Sequence, residues 1–213
     1  MTNKTMGFGM HAEALTQLAH VMRKSDLKKR YLKPVKLITP LQSAWVRCLL
    51  DVWGEKYGGH VGPDSGKCSV IGRLMIRQEW NDRESERIMD VVNNLHKQGY
   101  RGDELFIKAK QLINPQHSVS NLLDRANEQE DADLVESVIC STFAPDNPIR
   151  HVAIKYYCER KCAQDIAVEL SRLTGISPES AWRRIRWCRD LLEASVFHSI
   201  MRERDANKQK IAA

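Results

Sequence analysis

The sequence predicts an all-α chain, and three observations predict it. Apolar residues recur at helical spacing in almost every segment, as at Leu15, Leu18, Ala19 and Met22, or Leu41, Trp45, Cys48, Leu49 and Val52. No stretch alternates with period two for long enough to demand a sheet. Helix starts and stops punctuate the chain at intervals suited to helices of three or four turns.

The first start is Thr39-Pro40, a capping hydroxyl followed by proline at the first helical position, and Gly54 is read as the stop. The stretch around His60, Val61 and Cys68 to Ile71 reads as a short strand or a glycine-rich loop. Asn81 with Glu84 resembles a capping box and opens a helix through Ile88, Val91, Val92 and Leu95 to Gly99. Asp103 opens the next, which Asn114-Pro115 ends. Residues 116–130 are polar with few apolar anchors and read as a linker. A helix is expected from Asp131 to Phe143, then a break over Ala144 to Pro148. The resulting organisation is a basic N-terminal segment (1–37), a helical domain (38–115), the linker, a C-terminal helical domain (131–201) and a charged tail (202–213).

The chain has 213 residues, 42% hydrophobic and 28% charged, the balance of a globular protein. No apolar run approaches the ~18–20 residues of a membrane span, and the N-terminus shows no basic-then-apolar leader. Six cysteines in a chain this long do not make a disulfide scaffold, so reduced thiols are expected. Lys and Arg number 33 against 27 Asp and Glu, a net charge of +6. That charge is uneven: residues 1–100 carry +6, residues 101–149 carry −5, and residues 150–213 carry +5. Two basic regions around an acidic middle suit two contacts with a polyanion, or one with a polyanion and one with an acidic protein; solvated helix faces are the plain alternative. The run Arg23 to Lys36 holds seven bases and one acid, and Lys28, Lys29 and Arg30 are its candidate phosphate contacts.

The C-terminal third carries the strongest signal. One helix is expected over 149–160 and a second over 163–173, followed by the turn Thr174-Gly175-Ile176 and a third helix capped by Ser177 with Pro178 in its first turn. Two helices around a glycine turn are the helix-turn-helix pattern, whose second helix enters a DNA major groove. On a wheel of 100° per residue, Ala181, Ile185, Cys188 and Leu192 form a buried stripe. Glu179, Ser180, Arg183, Arg186, Trp187 and Asp190 project from the opposite side, and Arg184, Arg189 and Trp182 flank the stripe. Arginine reads guanine edges bidentately or clamps phosphate, and serines at a helix start suit phosphate. The candidate DNA-binding residues are therefore Ser177, Glu179, Ser180, Arg183, Arg184, Arg186 and Trp187. The plain alternative is a three-helix core with a basic solvent face. In the usual motif a glycine follows the alanine by four residues; here Gly175 follows Ala167 by eight, about one extra turn.

Other chemistry is weaker. Gly62 to Ser69 has three residues between its glycines where a phosphate-binding loop needs four, and Cys68 follows the lysine; a surface loop touching nucleic-acid phosphate through Lys67 is expected instead. His151, Cys158 and Cys162 share a helical face, with Cys188 or His198 as further ligands, but lack zinc-site spacing. The thiols at 158, 162 and 188 are read as small buried hydrophobes, so no metal is expected. Glu128, Glu130, Asp131, Asp133 and Glu136 mark a polar helix start rather than a catalytic cluster. No catalytic residues and no cofactor are expected.

The stretch Val152 to Leu192, with Lys155-Tyr156-Tyr157, then Gln164 to Ala167, then Gly175 to Ser177, then the arginine-rich helix ending at Arg189 to Leu192, resembles the fourth region of bacterial sigma factors. It also resembles the C-terminal module of lambdoid phage late-gene antitermination proteins. Residues 45–59, Gly66-Lys67 and Asn94 to Gly99 resemble a family of lambdoid phage proteins encoded where the late antiterminator normally lies. The lambda-type antiterminator is not resembled, because its paired CxxC zinc ribbon is absent. The resemblance implies a sigma-region-4-like helix-turn-helix in a phage antitermination factor that loads near a late promoter and promotes readthrough of pauses and terminators. Its implied partners are double-stranded DNA, host RNA polymerase and sigma factor, with self-association as a further expectation, in the host bacterial cytoplasm. The other expectation is a different phage helix-turn-helix protein, a transcription regulator or a small-terminase-like packaging protein.

Overall fold

The computed structural model describes residues 13–58, 74, 82–113 and 121–211, with no side-chain account of 121–129, 207, 208, 210 and 211. Among the described residues every element is helical, as expected. None of their helices is both long and apolar enough to cross a membrane. A turn of 3-10 helix (Gln17–His20) leads into α1 (Lys24–Tyr31) and then α2 (Pro40–Tyr57). Thr39 opens α2 with a full capping box: its hydroxyl accepts from the Gln42 N–H at 3.2 Å, and the Gln42 side chain accepts from the Thr39 N–H at 2.9 Å. Gly54 does not stop the helix as expected. It is buried inside α2, where an added Cβ would lie 2.3 Å from the carbonyl oxygen of Tyr157. The glycine lets two backbones touch, a long-range reason that local sequence does not reveal. Nor is every thiol reduced: Cys48, buried on α2, is in a disulfide, while Cys140, Cys158, Cys162 and Cys188 are free.

Helices α3 (Asp82–Lys97) and α4 (Gly102–Ile113) form a hairpin. Ile88, Val92 and Leu95 on α3, and Leu105, Ala109 and Ile113 on α4, are the buried sides of this pair. Gly99, at φ 98°, supplies the left-handed residue that turns the chain after α3. Ile107 and Leu112 remain exposed on α4. The loop over 62–69 with Lys67, the candidate strand, Asn81 and Asn114-Pro115 lie outside the described residues.

The expected linker is corrected in part: α5 runs over Asn121–Thr142 and starts ten residues before the expected Asp131. Its first turns are polar, and low apolar content alone does not end a helix that has no breaker. α6 (Pro148–Ala153) follows, capped by Asn147, whose side chain accepts from the Ile149 N–H at 2.9 Å and donates to the Tyr31 carbonyl at 3.0 Å. One π-helical turn (Ile154–Cys158) continues it. α7 (Ala163–Thr174) and α8 (Pro178–Ile211) complete the chain. The charged tail is also corrected, since α8 continues as one helix through Ile211, and the Arg204 guanidinium lies 5.4 Å from the centre of the Trp45 ring. A cation can join a helix face when its stem and charge find an aromatic ring.

α8 is the spine. It packs on α7, α6, α5, α2 and α1, and its Ala181, Ile185, Cys188, Leu192, Val196 and Ile200 are buried in a cluster with Trp45, Leu49, Val138, Ile149 and Ile166. That burial holds the arginine-bearing start of α8 in a fixed orientation.

Candidate nucleic-acid interface

The turn between α7 and α8 is built as its sequence suggests. Gly175 adopts φ 73°, and its N–H donates to the Ser171 carbonyl at 2.8 Å. The Ser171 hydroxyl donates to the Ile176 carbonyl at 2.7 Å, which ties the turn to the end of α7. Ser177 caps α8 by accepting from the Ser180 N–H at 3.3 Å. Ile166, Ala167 and Leu170 of α7 are buried, as is the predicted stripe Ala181, Ile185, Cys188 and Leu192.

The opposite side of α8 divides. Ser177, Glu179, Arg183 and Arg186 are exposed, and Ser180 is half-buried. Arg183 pairs with Glu179 at 3.3 Å, and the Arg186 guanidinium lies 5.7 Å from the centre of the Trp182 ring, itself 41% exposed. Arg184 is different. It is only 8% exposed and donates to three carbonyls: Val21 at 2.8 Å, Ser180 at 3.0 Å and Ala19 at 3.4 Å. It holds the N-terminal segment onto α8, and its donors are occupied within the protein. Trp187 is half-buried against the core. On the wheel it lies about 60° from Arg184, toward the flank that residues 19–24 cover. A wheel gives the direction of a side chain, not which neighbour lies there.

The N-terminal basic segment is folded onto α8 rather than loose. Leu27 is fully buried, and Lys24 Nζ lies 2.7 Å from a carboxylate oxygen of Asp190. Of the phosphate candidates, Lys28 donates to the Val35 carbonyl at 2.6 Å, while Lys29 and Arg30 are exposed. Met22, expected on the apolar face of its helix, is 75% exposed because the chain is already extended there.

Further charges hold the scaffold behind this surface. Glu193, nearly buried, accepts from Arg47 Nε at 2.8 Å and from the Ser43 hydroxyl. Lys155, buried at the π turn, lies 2.8 Å from Glu169. Burial would raise the Glu169 carboxyl, but Lys155 and Lys161 overcome it and hold the acid below its ordinary value. At Asp51 burial wins: its carboxyl is pushed up to about 6, although Arg160 stands 3.7 Å away. The sequence does not foretell the ion pairs of Lys155, Arg47 and Arg160, because their partners are far along the chain or across a turn.

Among the described residues the histidines and thiols do not converge on a metal site. His151 bonds the Pro145 carbonyl through Nε2 at 2.9 Å, and His198 bonds the Lys36 carbonyl at 3.2 Å. Cys188 is buried and Cys158 half-buried, and burial pushes the Cys158 thiol up to about 12. Cys162 is not the core residue expected: it is exposed and caps α7, its sulfur accepting from the Asp165 N–H at 3.4 Å. Among the described residues no group of three or more His, Cys, Asp or Glu is placed to hold a metal ion.

Compared with protein-family models, curated proteins and solved structures, the chain matches none.

Proposed function

We propose that the chain is a non-catalytic DNA-binding protein that lays the first turns of α8 in a major groove, and that it acts as a phage late-gene antitermination factor in the host bacterial cytoplasm. The observation that carries the DNA reading is the pair Arg183 and Arg186, exposed on a helix whose back is locked in the core, with a glycine turn and α7 behind it. Arginines presented by a helix held in this way suit base-edge recognition, where each bidentate arginine discriminates by about 1–3 kcal/mol. Antitermination, with host RNA polymerase and sigma factor as partners, is supported by the resemblance of residues 152–192 and by the helices outside the α7–α8 unit, which a minimal DNA reader does not need.

Two experiments test the two levels. Replacing Arg183 and Arg186 together by Gln is expected to abolish preference for cognate DNA selected from a random pool; retained preference would refute the groove assignment. With polymerase holoenzyme on a template carrying a lambdoid late promoter and a downstream terminator, saturating protein should raise readthrough and leave initiation alone. Unchanged readthrough would leave a plain DNA-binding protein, and reduced initiation would indicate a repressor.

A further inference from the structure

The exposed stripe of α8 is electrically balanced. Glu179, Arg183, Arg186 and Asp190 recur at helical spacing, two acids against two bases. A duplex carries one negative charge per ~1.7 Å, and affinity for it comes from surplus cations that displace counterions. The α8 stripe has no surplus of its own.

The surplus lies next to it. Residues 23–36 carry seven bases and the single acid Asp26. Three tethers fix this segment on the body, Lys24 to Asp190, Asn147 to the Tyr31 carbonyl and His198 to the Lys36 carbonyl, and Arg184 holds the chain just before it through the carbonyls of Val21 and Ala19. Asp190 sits about 6 Å along α8 from Arg186, so the Lys24 contact starts α1 one turn beyond the arginine stripe and also neutralises the stripe's second acid. Between residues 24–40 and α8 runs a groove of about 620 Å³ whose walls include Lys24, Lys28, Lys36 and Arg47. The groove's acids, Asp190 and Glu193, are paired to Lys24 and to Arg47. Arg23, Lys29, Arg30 and Lys36 are exposed, and none has an acidic partner among the described residues.

We infer that residues 23–36 form a fixed, sequence-independent wall for the DNA backbone beside α8, supplying the affinity while Arg183 and Arg186 supply the sequence preference. This rests on the reading of α8 as the DNA-facing helix. The partner is the phosphate chain of the same duplex, because the wall adjoins the stripe and its free charge has the opposite sign to phosphate.

The test uses the full chain and a labelled mixed-sequence duplex of about 30 base pairs, titrated between about 50 and 200 mM salt. The variant Arg23→Gln, Lys29→Gln, Arg30→Gln, Lys36→Gln alters only exposed groups. Its log affinity is expected to fall with log salt less steeply, by about 0.9 per lost phosphate contact and so by about 2–4 in all, with affinity at least about tenfold weaker at low salt. Lys29→Glu alone, on the outward side of α1, is the milder second variant and should flatten the slope by about 1. Arg87→Gln, Lys97→Gln, Lys108→Gln, on the α3–α4 hairpin outside the wall, should leave the slope unchanged. An unchanged slope in the N-terminal variants overturns the inference. So does loss of binding to polyglutamate with DNA binding intact, which would assign the wall to an acidic polypeptide. If Arg183→Gln, Arg186→Gln loses cognate preference while the N-terminal variants keep their slope, the α8 reading stands and the wall falls. If the slope flattens while that double variant keeps its preference, the wall stands and the α8 assignment falls.

Discussion

The stretches 23–36 and 177–190 are both basic, with seven bases to one acid in the first and four to two in the second, but they use their cations differently. In 177–190 the arginine run is split within one turn: Arg183 and Arg186 face solvent, while Arg184 is buried on three carbonyls. In 23–36, Lys24 and Lys28 are engaged by the protein, whereas Arg23, Lys29, Arg30 and Lys36 stay free of acids among the described residues. Counting charges in a sequence therefore overstates what a partner can meet. The split also shows how one stretch anchors the other: the buried arginine, Arg184, holds the N-terminal segment through the carbonyls of Val21 and Ala19.

The strongest way to break this comparison is Arg184→Met, which keeps the apolar stem and removes the donors. Carbonyls at Val21 and Ser180 would lose a charged partner, and bonds of this kind contribute about 1.5–3 kcal/mol each to a buried group. A loss of about 2–4 kcal/mol in urea unfolding is expected, against less than about 0.5 for Arg183→Met. Equal losses would erase the distinction.

The next effect concerns Asp51, whose folded carboxyl titrates near 6 against about 3.9 in an unfolded chain. A raised acid means that the folded state holds its proton longer, so this group costs stability as pH rises from about 4 through 6. The cost is at most about 3 kcal/mol, reduced by solvent screening. Asp51→Asn should match the parent near pH 4 and exceed it increasingly up to pH 7, measured by urea midpoints; a constant difference would restore an ordinary acid.

Lys24→Gln removes a half-exposed pair with Asp190 and should cost only about 0.2–1 kcal/mol. Smallest of all, Cys162→Ser replaces a weak sulfur acceptor by a good one at the start of α7 and should raise stability by a few tenths of a kcal/mol. A fall instead would mean that the thiol contributes through packing.

Features set by neighbours in sequence were legible: the Thr39-Pro40 start, Gly175, Ser177, and the buried stripe of α8. Features set by distant contact were not. Gly54 reads as a stop until Tyr157 is seen against it, and Arg184 reads as a DNA contact until Val21 is seen beneath it. The early start of α5 was missed for a different reason, since polar composition resembles a linker whether or not the backbone is helical. For the candidate interface, the sequence marked Arg183 and Arg186 as outward-facing, put Arg184 on the flank but read it as a DNA contact, set the half-buried Trp187 on the open side, and could not say that α1 would lie beside them.

The unbroken length of α8 makes it a lever. Arg186 stands near one end, and Arg204, against Trp45, lies on the same rod sixteen residues beyond Cys188. At 1.5 Å per residue that arm is about 24 Å, so a tilt of about 5° about Cys188 would carry Arg204 through about 2 Å, enough to lift it from the ring. A rigid tilt of the start of α8 would therefore reach Trp45 as a displacement, resisted by Leu192, Val196 and Ile200 packed in the core between.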